Sequence, residues 1–176
     1  MESRARLLGH PVHQMLIVFP LGLLGTALAF DVVHWVRSGD TFFAHMALWL
    51  IGIGICTGLF AAVFGLVDFL AIPKGTRAKS VGLWHGLGNV VVVGLFIVSW
   101  ALRVGGDPLH PPAAAFVLDI IAVLLALVTG WLGGELIDRL SIGVSPNANP
   151  DAPSSLKTDS VQPPHSRGLT TSEARV

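Results

Sequence analysis

Tyrosine is absent from this chain of 176 residues, cysteine occurs once, and Asp, Glu, Lys and Arg together make up only 12% of it. Each shortage excludes something. A single thiol, Cys56, inside an apolar run allows no internal disulfide and no Cys-built zinc or iron-sulfur centre. Eleven Lys and Arg balance eleven Asp and Glu, so there is no basic field for nucleic acid and no acidic one for a cationic partner. Ordinary soluble domains carry about 25% charged residues. Half that share, with 52% of residues hydrophobic, belongs to an integral membrane protein whose first partner is the lipid bilayer.

A hydrocarbon core of about 30 Å takes about 20 helical residues. Four segments meet that length: Met15 to Val36, Met46 to Leu70, Leu83 to Leu102 and Ala113 to Ile137. Strands are excluded, because an open sheet leaves backbone groups unpaired in lipid and four such segments cannot close a barrel. The connections "RSGDTFFAH", "AIPKGTRAKSV" and "RVGGDPLHPP" are short and rich in helix stops, which predicts an all-α, up-down-up-down four-helix transmembrane bundle.

Arg4, Arg6, Lys74, Arg77, Lys79 and Arg139 fall on one side, against Arg37 and Arg103 on the other. Positive loops stay inside, so a multi-pass protein of the cell inner (plasma) membrane with both termini cytoplasmic is expected. Arg4, Arg6 and the Ala27-Leu28-Ala29 run imitate a signal peptide, but the apolar stretch continues to Val36 and reads as a retained span. From Ser145 onward the chain is rich in Pro, Ser, Thr and Asn, which divides it into a transmembrane domain, 1–144, and a disordered cytoplasmic tail, 145–176.

Small residues at four-residue spacing, Ala122, Ala126, Gly130 and Gly134 above all, mark close helix packing. No internal repeat and no continuous polar path is visible, which argues against a transporter.

Ionisable groups within a span need a polar environment or a purpose. Here they fall at two depths, with His10, His13, Asp68, His85, Asn89 and Glu135 toward the cytoplasmic leaflet and Asp31, His34, His45 and Asp119 toward the outer one. At 1.5 Å rise per residue, His13 and His34 stand about 30 Å apart, so these are two layers rather than one site. The inner layer is the candidate site: haem b or a divalent metal held by His13 and His85, with His10, Asn89, Asp68 and Glu135 around them. The plain alternative keeps His10 and His13 as interfacial anchors and pairs Asp68 and Glu135 with Lys74, Arg77 or Arg139. No HExxH or other catalytic signature accompanies these residues, so enzymatic chemistry is not indicated.

The stretches "GHPVHQMLIVFPLGLLG", "FDVVHW", "GLVDFLAIPKGTRAKSVGLWHGLGNVV" and "GWLGGELIDRLSIGV" resemble a family of bacterial four-helix membrane proteins known as domain of unknown function 2231. Some of its members are joined to Rieske-type iron-sulfur domains. The resemblance covers nearly all of Gly9 to Val144 and carries recurring polar positions onto His10, His13, Asp31, Asp68, His85, Asn89, Arg103 and Glu135. It departs at the last helix, where the family pattern of tyrosine, arginine and histidine before glycine-valine is here Asp138 to Val144, without histidine. The resemblance implies redox work with a separate electron-transfer or membrane-complex protein as partner. The competing expectation is a cofactor-free interaction or assembly subunit of a larger membrane complex.

Overall fold

The computed structural model describes residues 1–156; the rest of the expected tail, 157–176, lies outside the described residues. A two-residue hairpin opens the fold, β1 (Arg6–Leu7) against β2 (His10–Pro11). Leu8 and Gly9 both have positive φ at its tip, the backbone that tight two-residue hairpins require. Five helices follow: α1 (Val12–Leu16), α2 (Val18–Val36), α3 (Thr41–Ala71), α4 (Arg77–Val104) and α5 (Ala113–Asp138). α1 and α2 form one span, interrupted at Ile17 because Pro20 has no N–H for the carbonyl of residue 16.

The four spans are Val12–Val36, Thr41–Ala71, Arg77–Val104 and Ala113–Asp138. Each is long and apolar enough to cross a membrane, and each extends beyond the segment read from hydropathy. Caps explain the extra turns. Asp40 accepts the N–H of Phe42 at the start of α3, and Thr76 accepts that of Lys79 at the start of α4. Pro73 follows close on the end of α3, and Pro112 sits just before α5.

α2 packs along α3 and α4 along α5, in each case antiparallel. His13 at the start of the first span meets Ala61 late in α3, while Phe30 late in α2 meets Phe43 early in α3. Similarly His85 early in α4 meets Thr129 late in α5, and Ser99 late in α4 meets Ala115 early in α5. α3 against α4 and α2 against α5 complete the square, which leaves α2 and α4 on a diagonal.

The two helical hairpins repeat each other, which corrects the expectation that the chain has no internal repeat. Leu24, Ala27 and Asp31 are buried on α2, and the residues 72 positions on, Phe96, Ser99 and Arg103, are buried on α4. On α3, Ala47, Ile51, Gly54 and Ala61 are buried; at one constant spacing so are Ala115, Asp119, Ala122 and Thr129 on α5.

Burial is inverted relative to a soluble bundle. Only 17% to 22% of each apolar stretch is buried, and Leu21, Phe60, Val90, Leu124 and Trp131 point outward. In lipid this costs nothing, because the tails are as apolar as the side chains, and close packing carries the association instead. The centre is accordingly a small cluster of Leu24, Ala27, Ile51, Val92, Phe96 and Ala122. Gly54 makes it possible: a Cβ there would stand 2.6 Å from Leu24 Cδ2. The C-terminal end of the expected small-residue ladder behaves differently, since a Cβ at Gly130 or Gly134 would meet nothing within 4 Å.

Gly54→Val is therefore expected to cost about 1–3 kcal/mol through overpacking, and Gly130→Ala to leave stability unchanged. Thermal unfolding of the two variants in one detergent measures the difference.

Candidate functional site

The inner layer forms where the first and third spans begin. His13 and His85 face each other with ring centroids 6.5 Å apart and planes at 87°. Each ring is held the same way. His13 Nδ1 lies 2.9 Å from the Ala61 carbonyl, and His85 Nδ1 lies 2.8 Å from the Thr129 carbonyl. A carbonyl only accepts, so Nδ1 carries a proton in both rings, and the Asn89 Nδ2 lies 3.4 Å from His85 Nε2.

Glycine makes room for each ring. Gly65 lies one turn beyond Ala61, and a Cβ on it would be 2.8 Å from His13 Cε1. Gly133 stands in the same relation to Thr129, with its Cβ position 3.1 Å from His85 Cε1. Asn89 completes the cluster: its Nδ2 donates to the His85 carbonyl at 2.8 Å, and its Oδ1 accepts from Thr129 Oγ1 at 3.1 Å.

The structure thus brings His13, His85 and Asn89 together and places the other three expected residues elsewhere. His10 is exposed on β2, its Nε2 3.3 Å from Ser155 Oγ. Asp68 receives Ser3 Oγ at 2.7 and 2.8 Å and the backbone N–H groups of Arg4 and Ala5 at 2.7 and 3.3 Å. It fastens the N-terminal segment to the end of α3. Glu135 pairs with Arg77 at 2.6 Å, tying the start of α4 to the end of α5. Among the described residues, no three His, Cys, Asp or Glu side chains converge as a metal cage.

The outer layer is ionic and was only partly foreseen. Arg103, read from sequence as an orienting charge near a loop, is buried at 0% exposure. Its Nη1 and Nη2 grip Asp31 in a two-pronged contact at 2.9 and 2.6 Å, Nη2 also reaches Asp119 at 2.6 Å, and Nε faces Ser99 Oγ at 3.4 Å. The forked guanidinium suits this geometry in a way a lysine ammonium does not. A usable sequence signal existed: Asp31 follows His13 at the interval by which Arg103 follows His85. His34, one turn beyond Asp31 on α2, bonds instead to the Asp40 carbonyl at 2.9 Å. Beyond the membrane-spanning part, His110 Nδ1 lies 2.8 Å from Asp107 Oδ2 in the α4–α5 loop, and that hydrogen bond holds the Asp107 carboxyl below its ordinary range.

Arg103→Met should be among the most damaging single changes, since it leaves the buried carboxyl groups of Asp31 and Asp119 without their cation. A loss of about 3–5 kcal/mol is expected. Arg103→Lys should recover only part of it, and chemical unfolding in detergent gives both values.

Comparisons with known proteins agree with this architecture. No curated protein and no solved structure gave a match. A family described as a predicted membrane protein, domain of unknown function 2231, matches residues 9–146, which takes in both polar layers and all four spans. The chain belongs to that family of multi-pass membrane proteins.

Proposed function

We propose that this protein is a redox-associated module of the bacterial inner membrane in which His13 and His85 together ligate one cofactor. The observation that carries the reading is the matched state of the two rings. Each Nδ1–H is bound to a backbone carbonyl, the arrangement that orients a histidine to ligate through Nε2. Rings at 6.5 Å on different helices then offer a pair of imidazole nitrogens at one depth.

The donor set favours haem b over a bare divalent ion. His13 and His85 would be the residues that hold a haem iron, which asks few ligands of the protein, whereas zinc takes four protein or water ligands. Asp68 and Glu135 are committed to Ser3 and Arg77, and Asn89 to Thr129, so none is free as a further ligand. A bound haem would supply one-electron transfer. The chain's own part is to hold the two rings in one tautomer, to shield them among four helices and to orient His85 through Asn89. The electron partner would be a separate electron-transfer or membrane-complex protein, a role that the family's Rieske-linked members suggest by analogy.

The competing reading is a cofactor-free interaction or assembly subunit. It is supported by the fact that both rings already have protein partners, so the contacts that would pose a ligand also fasten α1 to α3 and α4 to α5. Orientation with both termini in the cytoplasm rests on the excess of Lys and Arg on the inner side. Burial of Arg103 in an ion pair removes it from the outer loops and sharpens that excess.

Purified wild type, His13→Gln, His85→Gln and the double variant separate the readings by absorption spectrum and metal content. A shared cofactor predicts that either single change removes most of it and that the double change adds little. Wild type that folds without haem or metal after expression with both supplied, or single variants that retain them fully, would leave the assembly reading standing. For orientation, a reporter fused after Val176 should behave as cytoplasmic and one inserted near Gly106 as external.

A further inference from the structure

The outer layer contains a charge imbalance that the protein's own side chains do not cancel. Asp31, Arg103 and Asp119 are each at 0% exposure. Two carboxylates and one guanidinium sum to one negative charge, in a part of the bundle surrounded by lipid. On insertion scales even one ionised residue at the centre of a span costs about 2.5–3.5 kcal/mol. Asp31 is balanced, with both oxygens on Arg103. Asp119 shares only the second hydrogen of Nη2 through Oδ2, and its Oδ1 is buried with no hydrogen-bond partner.

We infer that the Asp31–Arg103–Asp119 layer is a proton-binding site, with one proton held on the Asp119 carboxyl inside the membrane-spanning bundle. The orphaned Oδ1 is the observation that demands a ligand. An ionised carboxylate with an unsatisfied buried oxygen carries the full desolvation cost, whereas a protonated one becomes a donor and removes the excess charge. Asp31 Oδ2 and Asp119 Oδ2 each lie 2.6 Å from the same Nη2, which sets the two carboxyl groups side by side on one guanidinium.

A proton fits better than a metal cation. Hard cations take about six to eight oxygen ligands. Here Asp31 spends both oxygens on Arg103, and Ser99 Oγ donates to the Ala115 carbonyl while facing Arg103 Nε. The other elements packed around the layer bring no second positive charge to it. α3 contributes Ile51 at the position equivalent to Asp119, and His34 on α2 has its contacts with Asp40 and Trp35. Ile51 at the equivalent position also explains the imbalance: this position of the repeat carries an acid in the second hairpin only, so the layer has three ionisable groups rather than an even number.

Infrared spectroscopy of the purified full chain at neutral pH tests the assignment. The folded wild type should show the carbonyl stretch of a protonated carboxylic acid. The band should shift with ¹³C-aspartate labelling, vanish in Asp119→Asn, and survive in Asp107→Asn and His34→Gln. Asp119→Asn, a neutral stand-in for the protonated acid, should fold with wild-type stability. Asp31→Asn should also abolish the band, because Asp119 then ionises against Arg103. Absence of a labelled carboxylic-acid band from folded wild type would overturn the proposal, as would its persistence in folded Asp119→Asn. So would stabilisation of the wild type by sodium or potassium without any such band, which would mark a cation site instead. The labelled wild-type spectrum decides the matter even where a variant fails to fold.

Discussion

A guanidinium at 0% exposure inside a membrane bundle is the constraint from which the rest of this structure follows. Arg103 cannot be neutralised by losing its proton, and it cannot be left unpaired in hydrocarbon. It lies on α4, and the carboxylates that satisfy it lie on α2 and α5. Three of the four spans are therefore locked at one depth, with α2 and α4 joined across the diagonal of the square. A slip of one residue along α4 would carry the fork about 1.5 Å from the Asp31 oxygens and break the two-pronged contact. Packing between small residues holds the helices close without fixing their register so sharply; the ion cluster supplies the register.

The opposite end of the bundle uses a gentler device, and uses it twice. An imidazole on the first helix of each hairpin donates to a carbonyl of the second helix, and a glycine one turn further on leaves space for the ring. A helix carbonyl has a second lone pair after accepting its own i+4 N–H, so the contact costs no backbone hydrogen bond. The histidines thereby join α1 to α3 and α4 to α5, while their mutual approach links the two hairpins. The same geometry that stabilises the bundle presents two Nε2 atoms with fixed tautomers. Structural and ligating roles are thus compatible in these residues rather than exclusive.

The four spans, the short connections and the two depths of polar residues were all legible in the sequence, because each rests on a local property: length of an apolar run, a Pro or Asp at a boundary, or the rise of a helix. Convergence of His13 with His85 was legible from depth and helix face. Pairing of Glu135 with Arg77 was among the alternatives read there, whereas the partner of Asp68 was not, since Ser3 lies in the N-terminal segment and carries no charge to mark it. Arg103 was misjudged for a related reason. Near the end of a span, a buried arginine and a loop arginine have the same hydropathy pattern, and only Asp31 and Asp119 on other helices tell them apart.

The hidden repeat explains why its most informative position looked like a difference. Where two equivalent helices meet across an approximate two-fold relation, each residue at the meeting point faces its own counterpart. His13 and His85 can be identical there because imidazole is tolerated beside imidazole. Asp31 and Arg103 cannot be identical, since two aspartates or two arginines at salt-bridging distance in a lipid-surrounded core would repel without screening. Joining both hairpins in one chain permits the counterparts to differ in sign, which turns an unfavourable like-charge contact into an ion pair between the hairpins. A dimer of identical hairpins has no such freedom. Sequence comparison of the halves scores that position as a mismatch, yet it is the place where the two-fold relation has the greatest physical consequence.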